Sequence, residues 1–140
     1  MIEINYLLIV VLAIVSMVLG KVWYGQLFGS DWCRLNGVDP DNKEAVKAMQ
    51  RGMGPVYLIQ FLTTLFMIFV VYVYTKPAED VMNTVAGAVW LWGGIVVPTL
   101  ASAVMWTSEA KRAAAKRFVI QAGYSLVLSL MIGYAVMVWG

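Results

Sequence analysis

The chain has 140 residues, enough for one domain, and 61% of them are hydrophobic while 13% are charged. Soluble domains average about 45–50% apolar and about 25% charged residues, and this apolar composition excludes an intrinsically disordered chain. A net charge of +2 excludes a nucleic-acid module with a dense basic face. The sequence contains no histidine, the commonest general base and metal ligand, and its single cysteine excludes an intrachain disulfide.

Four long runs without a charged residue divide the chain. They cover residues 4–20, 52–75, 81–108 and 118–140. A bilayer-spanning helix needs about 20 apolar residues, and these runs lack the polar stripe of a soluble bundle helix. We therefore predict an all-α four-helix transmembrane bundle. It forms a single domain over residues 1–140, with spans at about 4–24, 55–75, 81–105 and 118–139.

The positive charges are distributed unevenly among the three connections. Five Lys and Arg residues lie between the first and second runs, only Lys76 lies between the second and third, and four lie between the third and fourth. Cytoplasmic loops carry the excess of positive charge in membrane proteins. The first and third connections are therefore expected in the cytoplasm, and both termini outside.

The first connection begins with aromatic residues and continues into a short amphipathic helix. The aromatic spacing is typical of a membrane–water interface for Trp23, Tyr24, Phe28 and Trp32. Asp39 is the expected N-cap, Pro40 the first helical residue and Gly52 the C-terminal cap of about three helical turns. The helix is expected on the inner leaflet, although an ordinary solvated helix fits the pattern equally.

Basic residues of the first and third connections are candidates for contact with anionic lipid heads. They are Lys43, Lys47, Arg51, Lys111, Arg112, Lys116 and Arg117. The first three recur every four residues and form one stripe of the amphipathic helix. Topology alone explains the same charges without a specific lipid site.

The third span and the connection after it contain two further signals. Pro98 removes the hydrogen bond to the Gly94 carbonyl, so we expect a kink there. Ser108 is the expected N-cap of a helix that continues into the fourth span, because strong helix formers follow it.

Small and polar residues recur every four positions in the fourth span. Such a stripe indicates a helix–helix contact, with the small face of the first span or with the fourth span of a neighbouring copy. Leu128 and Val138 are expected on the outward side. The second span carries a polar pair on one face. Together the candidates for helix packing or a polar pathway are Ser16, Gly20, Gln60, Thr64, Gln121, Ser125, Ser129 and Gly133.

No catalytic, cofactor-binding or metal-binding constellation is found in the sequence, and we expect a protein that is not an enzyme. Cys33 has no histidine to activate it, and the absence of mid-span ionisable groups disfavours a proton-coupled exporter. The favoured function is a structural or interaction subunit that packs with itself or with another membrane protein. The alternative is a homo-oligomeric channel or facilitator for a small solute or an ion. A hydrated cavity at Gln60 and Gln121 would favour transport, whereas a dry bond between them would favour the structural role.

An aromatic–glycine signature spans residues 20–32, with Trp23-Tyr24-Gly25, Phe28-Gly29 and Trp32. Together with Gly37, Gly52-Met53 and Gly123-Tyr124, it resembles the prokaryotic membrane family called domain of unknown function 1761. In that family a proline commonly follows Trp-Tyr-Gly, whereas Gln26 stands here, and Lys21 is also unusual. The resemblance implies a small bacterial or archaeal protein of the cytoplasmic (inner) membrane, without an established activity or cofactor.

Overall fold

The computed structural model describes residues 3–78 and 80–140, and the regular elements in that part of the chain are helices. Their bounds are α1 (Tyr6–Lys21, extended by a π-helical turn at Val22–Leu27), α2 (Gly29–Leu35), α3 (Lys43–Gln50), α4 (Gly54–Thr75), α5 (Val81–Leu91, a π-helical turn at Trp92–Val96, then Val97–Met105) and α6 (Lys111–Trp139). Four of them, α1, α4, α5 and α6, are long and apolar enough to span a membrane. The predicted all-α four-helix transmembrane fold is confirmed.

Helix α6 occupies the centre of the bundle. In the most apolar 18-residue stretch of α6, 44% of the residues are buried, against 11% in that of α5. It packs along α5 and also contacts α4 and α1, while α1 pairs with α4. Ile68 and Tyr72 of α4 meet Ile132 and Val136 of α6 in the core. Leu128, expected on the outward side, is buried in the same core, because a central helix presents more than one face to its neighbours.

The two ends of the bundle are held by different contacts. At one end Asn5 donates its side-chain N–H to the Trp139 carbonyl (3.0 Å), and the Tyr72 hydroxyl accepts from the Asn5 backbone N–H (3.1 Å). At the other end Lys116 pairs with Asp31, and Arg117 donates to the Leu35 carbonyl (2.8 Å). The first and third connections therefore lie together, as the charge distribution predicts.

Helix α3 is shorter than the sequence suggests. Its N-cap is Asn42, whose side-chain oxygen accepts from the Ala45 N–H (3.1 Å). Asp39, the expected cap, instead accepts from the Asp41 N–H (3.0 Å) and closes a turn ahead of the helix. Gly52 follows the helix with φ +74°, a conformation that favours glycine. Every residue of α3 is exposed or half-buried.

Helix α6 is continuous from the third connection through the fourth span, as predicted, but it begins later. Its N-cap is Ala110 with extended backbone, and Lys111 is the first helical residue. Ser108 therefore lies outside the helix. The Glu109 carboxylate holds Arg117 by hydrogen bonds from Nε (3.0 and 3.2 Å), which keeps the segment before Lys111 turned back along the helix.

Two spans contain a π-helical turn at a tryptophan. In α1 the Phe28 N–H donates to the Trp23 carbonyl (2.9 Å), and in α5 the Val97 N–H donates to the Trp92 carbonyl. Each turn contains one residue more than an α-helical turn. The distortion expected at Pro98 is therefore a widened turn immediately before the proline.

Candidate functional site

Aromatic side chains of α1, α2 and α6 meet at the end of the bundle that carries the first connection. Ring centroids are 4.6 Å apart for Tyr24 and Trp32, 5.1 Å for Trp23 and Phe28, and 5.4 Å for Tyr24 and Tyr124. The rings are tilted, an arrangement that aromatic pairs favour. The four residues predicted to line an interface are half-buried against one another. We call this cluster, together with Arg117, the aromatic–arginine junction.

Hydrogen bonds to backbone carbonyls fix the junction on α6. The Trp23 indole N–H donates to the Ile120 carbonyl (2.9 Å), and the Tyr124 hydroxyl donates to the Ser16 carbonyl (3.0 Å). Gly123 leaves room for the indole, because a Cβ there would lie 3.0 Å from the Trp23 ring. The Trp23-Tyr24 and Gly123-Tyr124 pairs of the sequence signature therefore meet in space.

Arg117 joins three elements at the junction. Besides Glu109 and the Leu35 carbonyl, it contacts Trp32, with the guanidinium 5.3 Å from the ring centroid. Its side chain is only 17% exposed. Arg117, predicted as a lipid contact, is thus already neutralised inside the protein, and Lys116 also pairs with Asp31. The hydrogen bond from Arg117 lowers the pKa of Glu109 below its ordinary value of 4.5.

The polar stripe of α6 faces α5. A Cβ at Gly133 would lie 3.0 Å from Val85 Cα and 3.1 Å from Ala88 Cβ. Ser125 accepts from the Trp92 indole N–H (3.0 Å), and Ser129 donates to the Ser125 carbonyl (2.8 Å). Nothing in the sequence distinguishes Trp92, because a single tryptophan inside an apolar run belongs to no repeating pattern.

Ser16 and Gly20 of α1 lie against a different side of α6. The Ser16 carbonyl accepts from Tyr124, and a Cβ at Gly20 would lie 3.5 Å from the same hydroxyl. Tyr124 is one residue from Ser125 and points about 100° away around the helix. The expected pairing of these residues with the α6 stripe is therefore replaced by contact with Tyr124.

The two glutamines do not pair with each other. Gln60 is exposed and donates to Thr64 one turn further along α4 (3.0 Å), while Gln121 of α6 is half-buried. Around Gln60 the first turns of α4 are open, with Leu58 60% and Ile59 61% exposed. The dry bond that would favour a purely structural role does not form between these two side chains.

Among the described residues, no three Cys, Asp or Glu side chains lie close enough together to bind one metal ion. Cys33 is buried within α2. The described polar side chains instead join elements by hydrogen bonds and ion pairs, and most of these bonds begin or end on α6.

The fold and these contacts define a polytopic α-helical membrane protein whose helices are joined through aromatic and polar side chains. The family described as "Protein of unknown function (DUF1761)" matches residues 7–137, and the chain belongs to that family. The resemblance seen in the aromatic–glycine signature is confirmed. Among curated proteins and solved structures, no match is found.

Proposed function

We propose that this protein is a non-enzymatic structural or interaction subunit of a prokaryotic cytoplasmic membrane. It packs with copies of itself or with another membrane protein. Its termini lie outside, and its first and third connections lie in the cytoplasm, where positively charged connections are retained. The shared position of those connections, which hold nine of the ten Lys and Arg residues, supports this orientation.

The observation that carries the proposal is the outward side of α5. A row of residues four apart is exposed along it: Trp90, Gly94, Pro98, Ser102 and Trp106. Trp90 is 78% and Trp106 84% exposed, and open space lies beside Gly94. Small residues allow the backbones of two membrane helices to approach closely, and the two indoles would close over the ends of such a contact. We call these five residues the outer row.

The bonds inside the bundle support a structural role. Trp23, Trp92, Arg117 and Tyr124 each donate to a backbone carbonyl of another helix. A donor held on a backbone carbonyl positions an element and is not available for proton transfer to a substrate.

The test compares two neighbouring glycines of α5. Gly94→Leu places a large side chain on the outer row, and Gly93→Leu places the same side chain one position around the helix, where space is also open. We expect Gly94→Leu to weaken assembly by roughly tenfold or more, as overpacking of a contact would, and Gly93→Leu to weaken it much less. Mass analysis of complexes released from native membranes measures the assembly. A chain that is released alone, without copies or other proteins, would contradict the proposal.

A second candidate is a homo-oligomeric channel or facilitator for a small solute or an ion. The exposure of Gln60 and the partial exposure of Gln121 favour it, because these amides are free of a dry mutual bond. Solute flux into liposomes, compared between the natural chain and Gln60→Leu, tests this candidate. Equal flux in both samples and in protein-free liposomes would exclude it.

A further inference from the structure

Helix α2 is a short helix that lies against the end of the bundle carrying the first connection. It packs on the π-helical turn of α1 and on α6, while Ser30 and Arg34 are exposed. Within Gly29–Leu35 the single buried side chain is that of Cys33. Because so little apolar surface is buried, directional contacts with polar and aromatic groups must hold α2 in place.

Two consecutive residues of α6 supply contacts of this kind. Lys116 pairs with Asp31 in the first turn of α2. Arg117 donates to the Leu35 carbonyl at the other end of α2 (2.8 Å), and its guanidinium lies 5.3 Å from the centroid of the Trp32 ring. Both ends of α2 are therefore held from α6, and Arg117 makes its contacts at two points.

Exposed segments lie on both sides of α2. Before it, residues 25–27 are exposed, and open space lies beside Gly25. After it, Asn36 and Gly37 are exposed, and Gly37 has φ +74°, a conformation that favours glycine. A few loop or helix-terminal residues of this kind commonly act as hinges. The buried core between the spans contains none of residues 28–35, so these residues can move as a unit and leave that core intact.

We propose that residues 28–35 form a hinged cover at this end of the bundle, with Arg117 as its latch. The cover opens as a unit about the two exposed segments, while the four membrane-spanning helices stay together. Glu109 of the third connection accepts from Arg117 (3.0 and 3.2 Å) and keeps the guanidinium neutralised beside α2, so that connection sets the strength of the latch. Opening uncovers the Tyr24 ring and the Cys33 thiol.

Cys33 is the only cysteine of the chain, and its reaction with a water-soluble maleimide reports the opening of the cover. The protein is studied in lipid nanodiscs, where the reagent reaches both faces of the membrane. When the cover opens and closes quickly, the labelling rate follows the open fraction. We expect Arg117→Gln to raise this rate roughly tenfold, the effect of losing one hydrogen bond from a charged group. An unchanged rate would overturn the proposal.

Arg112→Gln is the matched control, because it makes the same change of charge at an exposed residue of the same helix. We expect it to leave the Cys33 labelling rate unchanged, and an equal rise in both variants would overturn the latch. Glu109→Gln removes the carboxylate partner of Arg117, and we expect a roughly threefold rise in the rate. Because it retains the Arg117 contact with Leu35, it tests the latch even where Arg117→Gln does not fold. No rise in Glu109→Gln would contradict the role of the third connection.

A second reporter distinguishes opening of the cover from separation of the spans. In a Cys33→Ala background, Thr84→Cys places a thiol at a fully buried position in the first turn of α5, at the other end of the bundle. We expect this thiol to stay unlabelled when Arg117→Gln is added. Equal acceleration at both thiols would show that the whole bundle opens, and would overturn the proposal. With one chain in each nanodisc, the result is independent of the assembly in the proposed function.

Discussion

The aromatic–arginine junction and the first turns of α4 lie at the same end of the bundle but are held very differently. At the junction, Trp23, Tyr124 and Arg117 donate to carbonyls of neighbouring elements. The first seven residues of α4 carry no charge and are mostly apolar, yet all are exposed. Because lipid tails solvate apolar side chains as well as other helices do, directional bonds and close packing decide where such a bundle closes.

Two glycines give the sharpest test of this difference. A Cβ at Gly123 would lie 3.0 Å from the Trp23 ring, whereas open space lies beside Gly54 at the start of α4. We expect Gly123→Ala to lower the free energy of unfolding by about 1–3 kcal/mol through overpacking. Gly54→Ala should leave it unchanged or raise it by up to about 1 kcal/mol. Denaturant unfolding in detergent measures both, and equal effects would show that the two regions do not differ in packing.

The hydrogen bonds of the junction predict a smaller effect. Trp23→Phe keeps an aromatic ring but removes the donor to the Ile120 carbonyl, and we expect a loss of about 1 kcal/mol in the free energy of unfolding. Tyr57→Phe removes a hydroxyl from an exposed position of α4 and should change it by less than about 0.5 kcal/mol. The same unfolding measurement applies. A larger loss of unfolding free energy for Tyr57→Phe would indicate that the Tyr57 hydroxyl has a hydrogen-bond partner at the start of α4.

The smallest expected effect is a dependence on pH at the junction. Arg117 lowers the pKa of Glu109 in the folded protein, so the ion pair stabilises the fold above the carboxyl's ordinary pKa of 4.5. That stabilisation is lost as pH falls through the lowered pKa. Between pH 7 and pH 3, the melting temperature should therefore fall more in the natural chain than in Glu109→Gln. Glu44→Gln on exposed α3 is the control and should follow the natural chain. If Glu109→Gln has the same pH profile as the natural chain, the ion pair between Glu109 and Arg117 does not contribute to the stability of the junction.

The sequence predicted the membrane helices well because each span is a long run without charge. It predicted less about which helices meet. The four-residue period of Ser125 and Gly133 indicates a contact face on α6, but a period names no partner, and that partner is α5. Leu128 lies beside this stripe and is also buried, because α6 is surrounded by other helices. That central position depends on the whole bundle and cannot be read from the sequence of α6 alone.

Charge patterns indicated which connections lie on the same side of the bundle, but they did not indicate which residues form pairs. The distribution of Lys and Arg placed the first and third connections together, as Lys116 and Asp31 show. Arg117 looked like any other interfacial cation. Its partner is the backbone carbonyl of Leu35, 82 residues away in the chain, and every residue has a backbone carbonyl, so the sequence does not indicate which one is the acceptor. For α3, Asp39 and Asn42 are equally good caps by residue type, and only the backbone geometry distinguishes them.

The extra residue in the π-helical turn of α5 sets how far the second half of that helix is rotated around the helix axis relative to the first half. Trp90 precedes the turn at Trp92–Val96 and Trp106 follows it, yet both stand on the outward side. If the same residues formed a plain α-helical turn, the side chains after it would be rotated by about 100° around the helix axis relative to those before it. Ser102 and Trp106 would then leave the side on which Trp90 stands. The widened turn, which takes up one extra residue, is therefore what gives α5 one continuous outward surface.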